Sequence, residues 1–257
     1  MRYRDALAAL VLVCGLSVFG NVHARQYNAV AAGVEPTNPT FIVDGSATSS
    51  RAAIAHFRQL PPNAFLRSLF QRYLGESRAA KADDVLRGVY AYPQFEPVKL
   101  PQALKWNENP LRSNSWEWNH HNLTAVDDLT AAWLTRNEAK YLLRAQELVA
   151  SWALHNVGTE TFPSEFSWND HTTALRLWRL LYLFEYGRRT QLVSDEFLAD
   201  LLFLIVHHAR VLAEDGIYNR LTNHGFDQAV ALYLATGMFP EVVDFDVLNL
   251  LAAERLN

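Results

Sequence analysis

Residues 218–237 hold the polar groups whose types and spacing suit chemistry. The stretch reads Tyr218-Asn219-Arg220-Leu221-Thr222-Asn223-His224-Gly225-Phe226-Asp227-Gln228 and then turns apolar up to Gly237. Its first half is loop-like. Its second half has helical spacing, with Phe226, Val230, Tyr233 and Leu234 on one face and Gly237 as the stop. Asn223 and His224 therefore fall where a loop hands over to a buried helix, a place that holds two polar side chains rigidly above a core. An amide donates hydrogen bonds without titrating, and an imidazole carries protons. The plainer alternative is that Asn223 caps the helix and His224 satisfies free backbone donors.

The elements that must position these groups are helices. Short ones are expected over residues 51–59, 63–74 and 76–87, the last two closed by Gly75 and Gly88. Pro93, Pro97, Pro101 and Pro110 rule out a long helix across residues 89–111, which should run extended. Tyr90, Tyr92, Phe95 and Trp106 in that segment predict that it is packed down. Helix then follows helix: 119–134 with 138–155, 170–186 with 195–214, and 226–235 with 245–256. Helix pairs at this spacing, with no strand alternation, predict an all-α chain built as a solenoid or closed toroid. Residues 175–183 are apolar nearly all round, as in an inner helix covered on both sides. Residues 25–48 read as a tail or wrapping segment.

The 257 residues are half hydrophobic and carry a net charge of −4, enough apolar material for a buried core. Met1-Arg2-Tyr3-Arg4, the apolar run 6–20 and Val22-His23-Ala24 have the pattern of a signal peptide over residues 1–24, which predicts export to a periplasm or beyond. The run is short for a transmembrane helix, an uncleaved anchor being the alternative, and no later stretch qualifies. Cys14, the single cysteine, lies inside it, so the mature chain is expected to lack disulfides and thiol chemistry. No basic face suits nucleic acid. There is no H-E-x-x-H, cysteine pair, P-loop, G-x-G-x-x-G or G-x-S-x-G, so no metal or cofactor is expected.

Outside the opening stretch, Trp116, Trp118 and Trp168 are candidate platforms for pyranose rings, against the alternative of core tryptophans. Trp168 is the preferred one, because it precedes a helix start in Trp168-Asn169-Asp170-His171. Arg176 and Arg179 sit in a nearly apolar helix and need anionic partners, either a substrate or Asp170 and Glu185. His120-His121 and His207-His208 are dyads without metal spacing.

Three stretches together resemble the heparinase II/III-like polysaccharide lyases. They are Gly88-Val89-Tyr90 through Trp106-Asn107-Glu108-Asn109-Pro110 to Ser115-Trp116-Glu117-Trp118-Asn119, then Ser167-Trp168-Asn169-Asp170-His171 with Arg176, and finally Asn223-His224-Gly225. The resemblance implies an incomplete (α/α) toroid of antiparallel helix pairs over residues 25–257, with the family's β-sandwich beyond the end of this sequence. It implies β-elimination on a uronate-containing, anionic polysaccharide. Asn223 would neutralise the carboxylate beside the carbon that loses its proton, and His224 would act in proton transfer. Trp168, His171, Arg176, Trp118 and Asn119 would bind substrate. The family's catalytic Tyr and second His have no match in these residues. Two other readings stay open: a toroidal glycoside hydrolase using Asp170 and Asp227, and a non-catalytic carbohydrate-binding scaffold.

Overall fold

The computed structural model describes residues 28, 30–159 and 161–257 of the chain. The expected signal segment 1–24 lies outside these residues. Residues 30–33 are helical, and two strands follow, β1 (Thr40–Val43) and β2 (Ser46–Ser49), paired as an antiparallel hairpin. Asp44 and Gly45 join them with φ of 49° and 74°. Positive φ at both central residues is what a tight Asp-Gly hairpin turn requires. The sequence reading of a tail over 25–48 missed this turn. Phe41 of β1 is fully buried, and β1 also bonds to the far end of the chain: Ile42 N–H donates to Glu241 O (2.7 Å) and Val243 N–H to Thr40 O (3.0 Å).

Helices α1 (Ser50–Gln59), α2 (Ala64–Phe70) and α3 (Glu76–Leu86) follow, with a 3-10 turn at Gln71–Tyr73. Ser49 and Asn63 cap the first two through their side chains, as short polar residues at a helix start do. The proline-rich segment is extended, as expected. It carries the short antiparallel pair β3 (Val89–Tyr90) and β4 (Val98–Lys99), and it buries Tyr90, Tyr92 and Trp106.

One helix was expected over 119–134; two form, α4 (Asn114–His121) and α5 (Thr124–Arg136). The break falls at Leu123, which takes the left-handed conformation (φ 62°) while its side chain is buried. Core packing of an apolar residue outweighs a backbone penalty of about 1–2 kcal/mol there.

The remaining helices are α6 (Ala139–Asn156), α7 (Asp170–Gly187), α8 (Asp195–Ala213), α9 (Asn223–Met238) and α10 (Phe245–Arg255). Helix α7 packs on α8, α9 and α5, while α9 packs on α7, α8 and α10. Short loops make successive partners antiparallel. The chain thus has the expected all-α, toroid-type architecture of helix pairs. Helix α7 is buried along nearly its whole length, matching the expectation for its apolar middle, residues 175–183, and burying several polar and charged residues besides. Helix α9 starts three residues before the expected position and runs through Gly237. Tyr233 is half exposed rather than on the buried face with Val230 and Leu234.

Candidate functional site

Helices α7 and α9 start side by side, and each brings polar residues in its first turn. Asn169 caps α7 by accepting from the backbone N–H of His171 and Thr172. Thr222 caps α9 by accepting from Gly225 N–H (3.1 Å). The capping role therefore belongs to Thr222, and Asn223 is the first helical residue. Its side chain is exposed and its amide takes no hydrogen bond from any described residue. An uncommitted donor at a helix N-terminus, where backbone N–H groups also point outward, suits an anion.

His224 lies just behind, 9% exposed. Its Nδ1 is 2.9 Å from Asp170 Oδ2. His171 makes the reciprocal pair, with Nε2 2.7 Å from Asp227 Oδ2. So each helix supplies one carboxylate and one imidazole, and the pairs cross between them. The two rings stack at 4.1 Å and 21°. The half-buried Trp118 of α4 also lies against His171, with ring centroids 5.2 Å apart and planes tilted by 48°. Burial pushes the Asp170 carboxyl up, but its hydrogen bond to His224, the charge of that ring, the His171 backbone N–H and the Asn219 amide outweigh this. The group is held below the ordinary carboxylate value.

The loop before α9 is clamped onto it. Gln228 accepts from Asn219 N–H (2.9 Å) and donates to Ile217 O (2.7 Å), while Thr222 Oγ1 donates to Asn219 O (2.7 Å). A β-carbon at Gly225 would meet Asn219 O at 2.2 Å, so only glycine lets the loop approach this closely. Asn219 in turn donates to Asp170 Oδ2 (3.2 Å). The Asn223-His224-Gly225 triplet thus has a physical reason in each member.

Three expected substrate contacts need correction. Trp168 is 1% exposed, and its indole N–H donates to Asn156 O (2.8 Å). Arg176 is fully buried: Nε donates to His208 Nε2 (2.8 Å), Nη1 to His121 O (2.6 Å) and Nη2 to Ser167 O (2.8 Å). Its guanidinium lies over the Trp152 ring at 3.8 Å. Neither Asp170 nor Glu185 is its partner, because neutral acceptors and ring faces satisfy the cation. Both residues brace the interior and offer a sugar no surface. Asn119 spends its amide on Ser115 O (2.8 Å) and accepts from Thr124 Oγ1. Trp116 is core as well, and His207 and His208 are both buried, held neutral chiefly by desolvation. Of the expected groups, Asn223, His224, His171 and Trp118 do come together. Asp170 entered the sequence reading only as an ion-pair partner or hydrolase acid, Asp227 only as the latter. Asn219 and Gly225 had no assigned role, although their juxtaposition to the Asn-His pair was a usable signal. Among the described residues, no group of three His, Cys, Asp or Glu is arranged to hold a metal, and no helix is long and apolar enough to cross a membrane.

The architecture is similar to that of solved lyases. Heparan sulfate lyase HepC from Pedobacter heparinus aligns with a TM-score of 0.64 at 17% identity, covering 91% of this chain and 33% of that one. A heparinase III structure aligns at 0.66 and 20% identity, covering 80% and 33%. A heparinase III with methylated lysines aligns at 0.68 and 17%, covering 80% and 34%. The chain therefore spans about a third of the length of these proteins. Comparison with curated protein sequences gives no match. Residues 50–257 match the family described as Heparinase II/III N-terminus. With most of its length inside that match, the chain belongs to the heparinase II/III N-terminal family.

Proposed function

We propose that this chain is the helical part of a polysaccharide lyase that cleaves a uronate-containing polysaccharide by β-elimination. The observation that carries this reading is the pairing of an exposed, uncommitted Asn223 amide with His224 directly behind it at the mouth of α9. The proton on C5 of a uronate is only weakly acidic. Its removal builds charge on the adjacent carboxylate, and a fixed neutral donor aimed there lowers the barrier. Asn223 supplies that donor. His224 acts in proton transfer between C5 and the departing O4, as electrons from the broken C–H bond form the C4=C5 double bond. Trp118 offers a ring face at the edge of the site. Family membership and the lyase identity of the similar structures support the same class of reaction.

The hydrolase reading loses ground on the same geometry. A glycosidase acid needs a carboxyl with a raised pKa, whereas Asp170 is held low and Asp227 is tied to His171. Export through the leader at residues 1–24 fits a polysaccharide substrate and belongs to this proposal.

The test uses the intact protein with heparan sulfate, hyaluronan and alginate, following the ultraviolet absorbance of the unsaturated uronate. Elimination creates that chromophore, hydrolysis gives reducing ends without it, and a binder gives neither. Asn223→Ala is expected to lower the rate about 10²–10³-fold while the protein stays folded. An unchanged rate removes Asn223 from the mechanism.

A further inference from the structure

We propose that Asp170 is the positioning residue for His224, fixing the imidazole with its proton on Nδ1 and its lone pair on Nε2, so that Nε2 is the nitrogen that exchanges protons during turnover. The inference rests on the lyase reading for its catalytic consequence, but not for its structural content.

Every donor around Asp170 faces one carboxylate. His224 Nδ1 lies 2.9 Å from Oδ2 and the Asn219 amide donates to the same oxygen at 3.2 Å. An ionised carboxylate accepts and cannot donate. The nitrogen facing it therefore carries the hydrogen, and in the neutral ring the lone pair falls on Nε2. Asp170 is 1% exposed, so water has little access to compete with His224 for its carboxylate. The same anion also stabilises the imidazolium that forms when Nε2 takes a proton, without itself becoming protonated.

His171 shows that this choice is specific. It sits one residue from Asp170 and stacks on His224, yet its carboxylate partner, Asp227, faces Nε2 rather than Nδ1. The two stacked rings are thus anchored through opposite nitrogens, and exchanging the carboxylates' positions would exchange the tautomers. Asp170 is itself fixed twice: by its place in the capped first turn of α7, and by Asn219 in the loop that Gly225 admits.

The experiment has two arms on the intact protein. Nitrogen NMR of ring-labelled wild type reads the neutral tautomer of His224. The expected result is Nδ1–H; a ring carrying its hydrogen on Nε2 overturns the proposal. Steady-state kinetics of Asp170→Asn is expected to lower kcat about 10²–10⁴-fold, the range that general acid–base catalysis contributes, with KM little changed. A merely structural role moves melting temperature and KM together and leaves kcat per folded molecule intact, and that result also overturns it. Should Asp170→Asn fail to fold, the wild-type tautomer still decides. Should wild type eliminate none of the polymers, the lyase reading fails, and the tautomer measurement still judges the role of Asp170 separately.

Discussion

The two ends of α7 use similar residues for opposite purposes. At its C-terminal end, Glu185 is fully buried and accepts from Asn63 N–H (2.9 Å), Arg67 Nε (2.9 Å) and Arg188. Arg188 donates further to the carbonyls of Phe57, Leu60 and Pro61, while Arg58 of α1 reaches back to those of Arg188, Thr190 and Val193. The exchange of arginines locks α1 to the end of α7. A cavity of about 300 Å³ lies here, lined by Phe57, Pro61, Glu185 and Arg188, and the charges in its wall are already matched. At the N-terminal end, Asp170 and His171 are also paired, but their partners open onto an exposed Asn223 and a half-buried Trp118. A charge network closed on itself stabilises; under the proposed lyase reading, one that ends beside an unused donor is left able to bind and react. The contrast shows why buried charge alone does not mark an active site.

The largest expected effect breaks the closed end. Arg188→Met leaves three carbonyls without their donor and Glu185 with reduced compensation. Denaturant unfolding should show a loss of about 3–5 kcal/mol, while activity per folded molecule is unchanged. At the open end the opposite split is expected for His224→Ala, with a rate loss of about 10²-fold or more by product absorbance against a smaller stability loss of about 1–3 kcal/mol from the unpaired Asp170. Gly225→Ala should blur the comparison, because the new β-carbon forces Asn219 away and with it one anchor of Asp170. It should cost about 1–3 kcal/mol of stability and lower activity together, read by thermal melting beside turnover.

Most of the architecture was legible because helices announce themselves by period and by boundary residues such as Gly75 and Gly88. The Asn223-His224 pair was legible through its place at a helix start. Arg176 and Trp168 were misjudged for one physical reason. A sequence reveals that a cation lies in an apolar helix, but not that carbonyls from residues 121 and 167 and two indole faces converge on it. Likewise the break at Leu123 depends on what the side chain fills, which local propensity does not encode. The crossing of His224 to Asp170 and His171 to Asp227 spans 54 and 56 residues and arises only from the packing of α7 on α9.

Two smaller effects sharpen the contrast. Leu221 sits in the loop at φ 63° and is 93% exposed, so its backbone strain is not offset by packing. Leu221→Gly should raise stability by about 1 kcal/mol, seen as a shift in melting temperature. Asp170 gives a pH signature. Its folded-state pKa is depressed, so the stability it contributes is present above its unfolded value, near pH 4, and is lost as pH falls through the lower folded value. Acid titration of wild type against Asp170→Asn should show this difference shrinking below about pH 4.

The strand that reaches across to the loop after α9 has a consequence for how the chain comes together. Thr40 and Val243 are joined by a backbone hydrogen bond although some two hundred residues separate them, and the fully buried Phe41 forms a β-bridge with Val242 between them. During synthesis this hairpin must wait, unpaired on that edge, until the turn after α9 has been made. A long-range stitch is thereby added to the local stacking of helices, and ending the chain anywhere before Val242 should yield a product that lacks the seat and is open to proteases near Phe41.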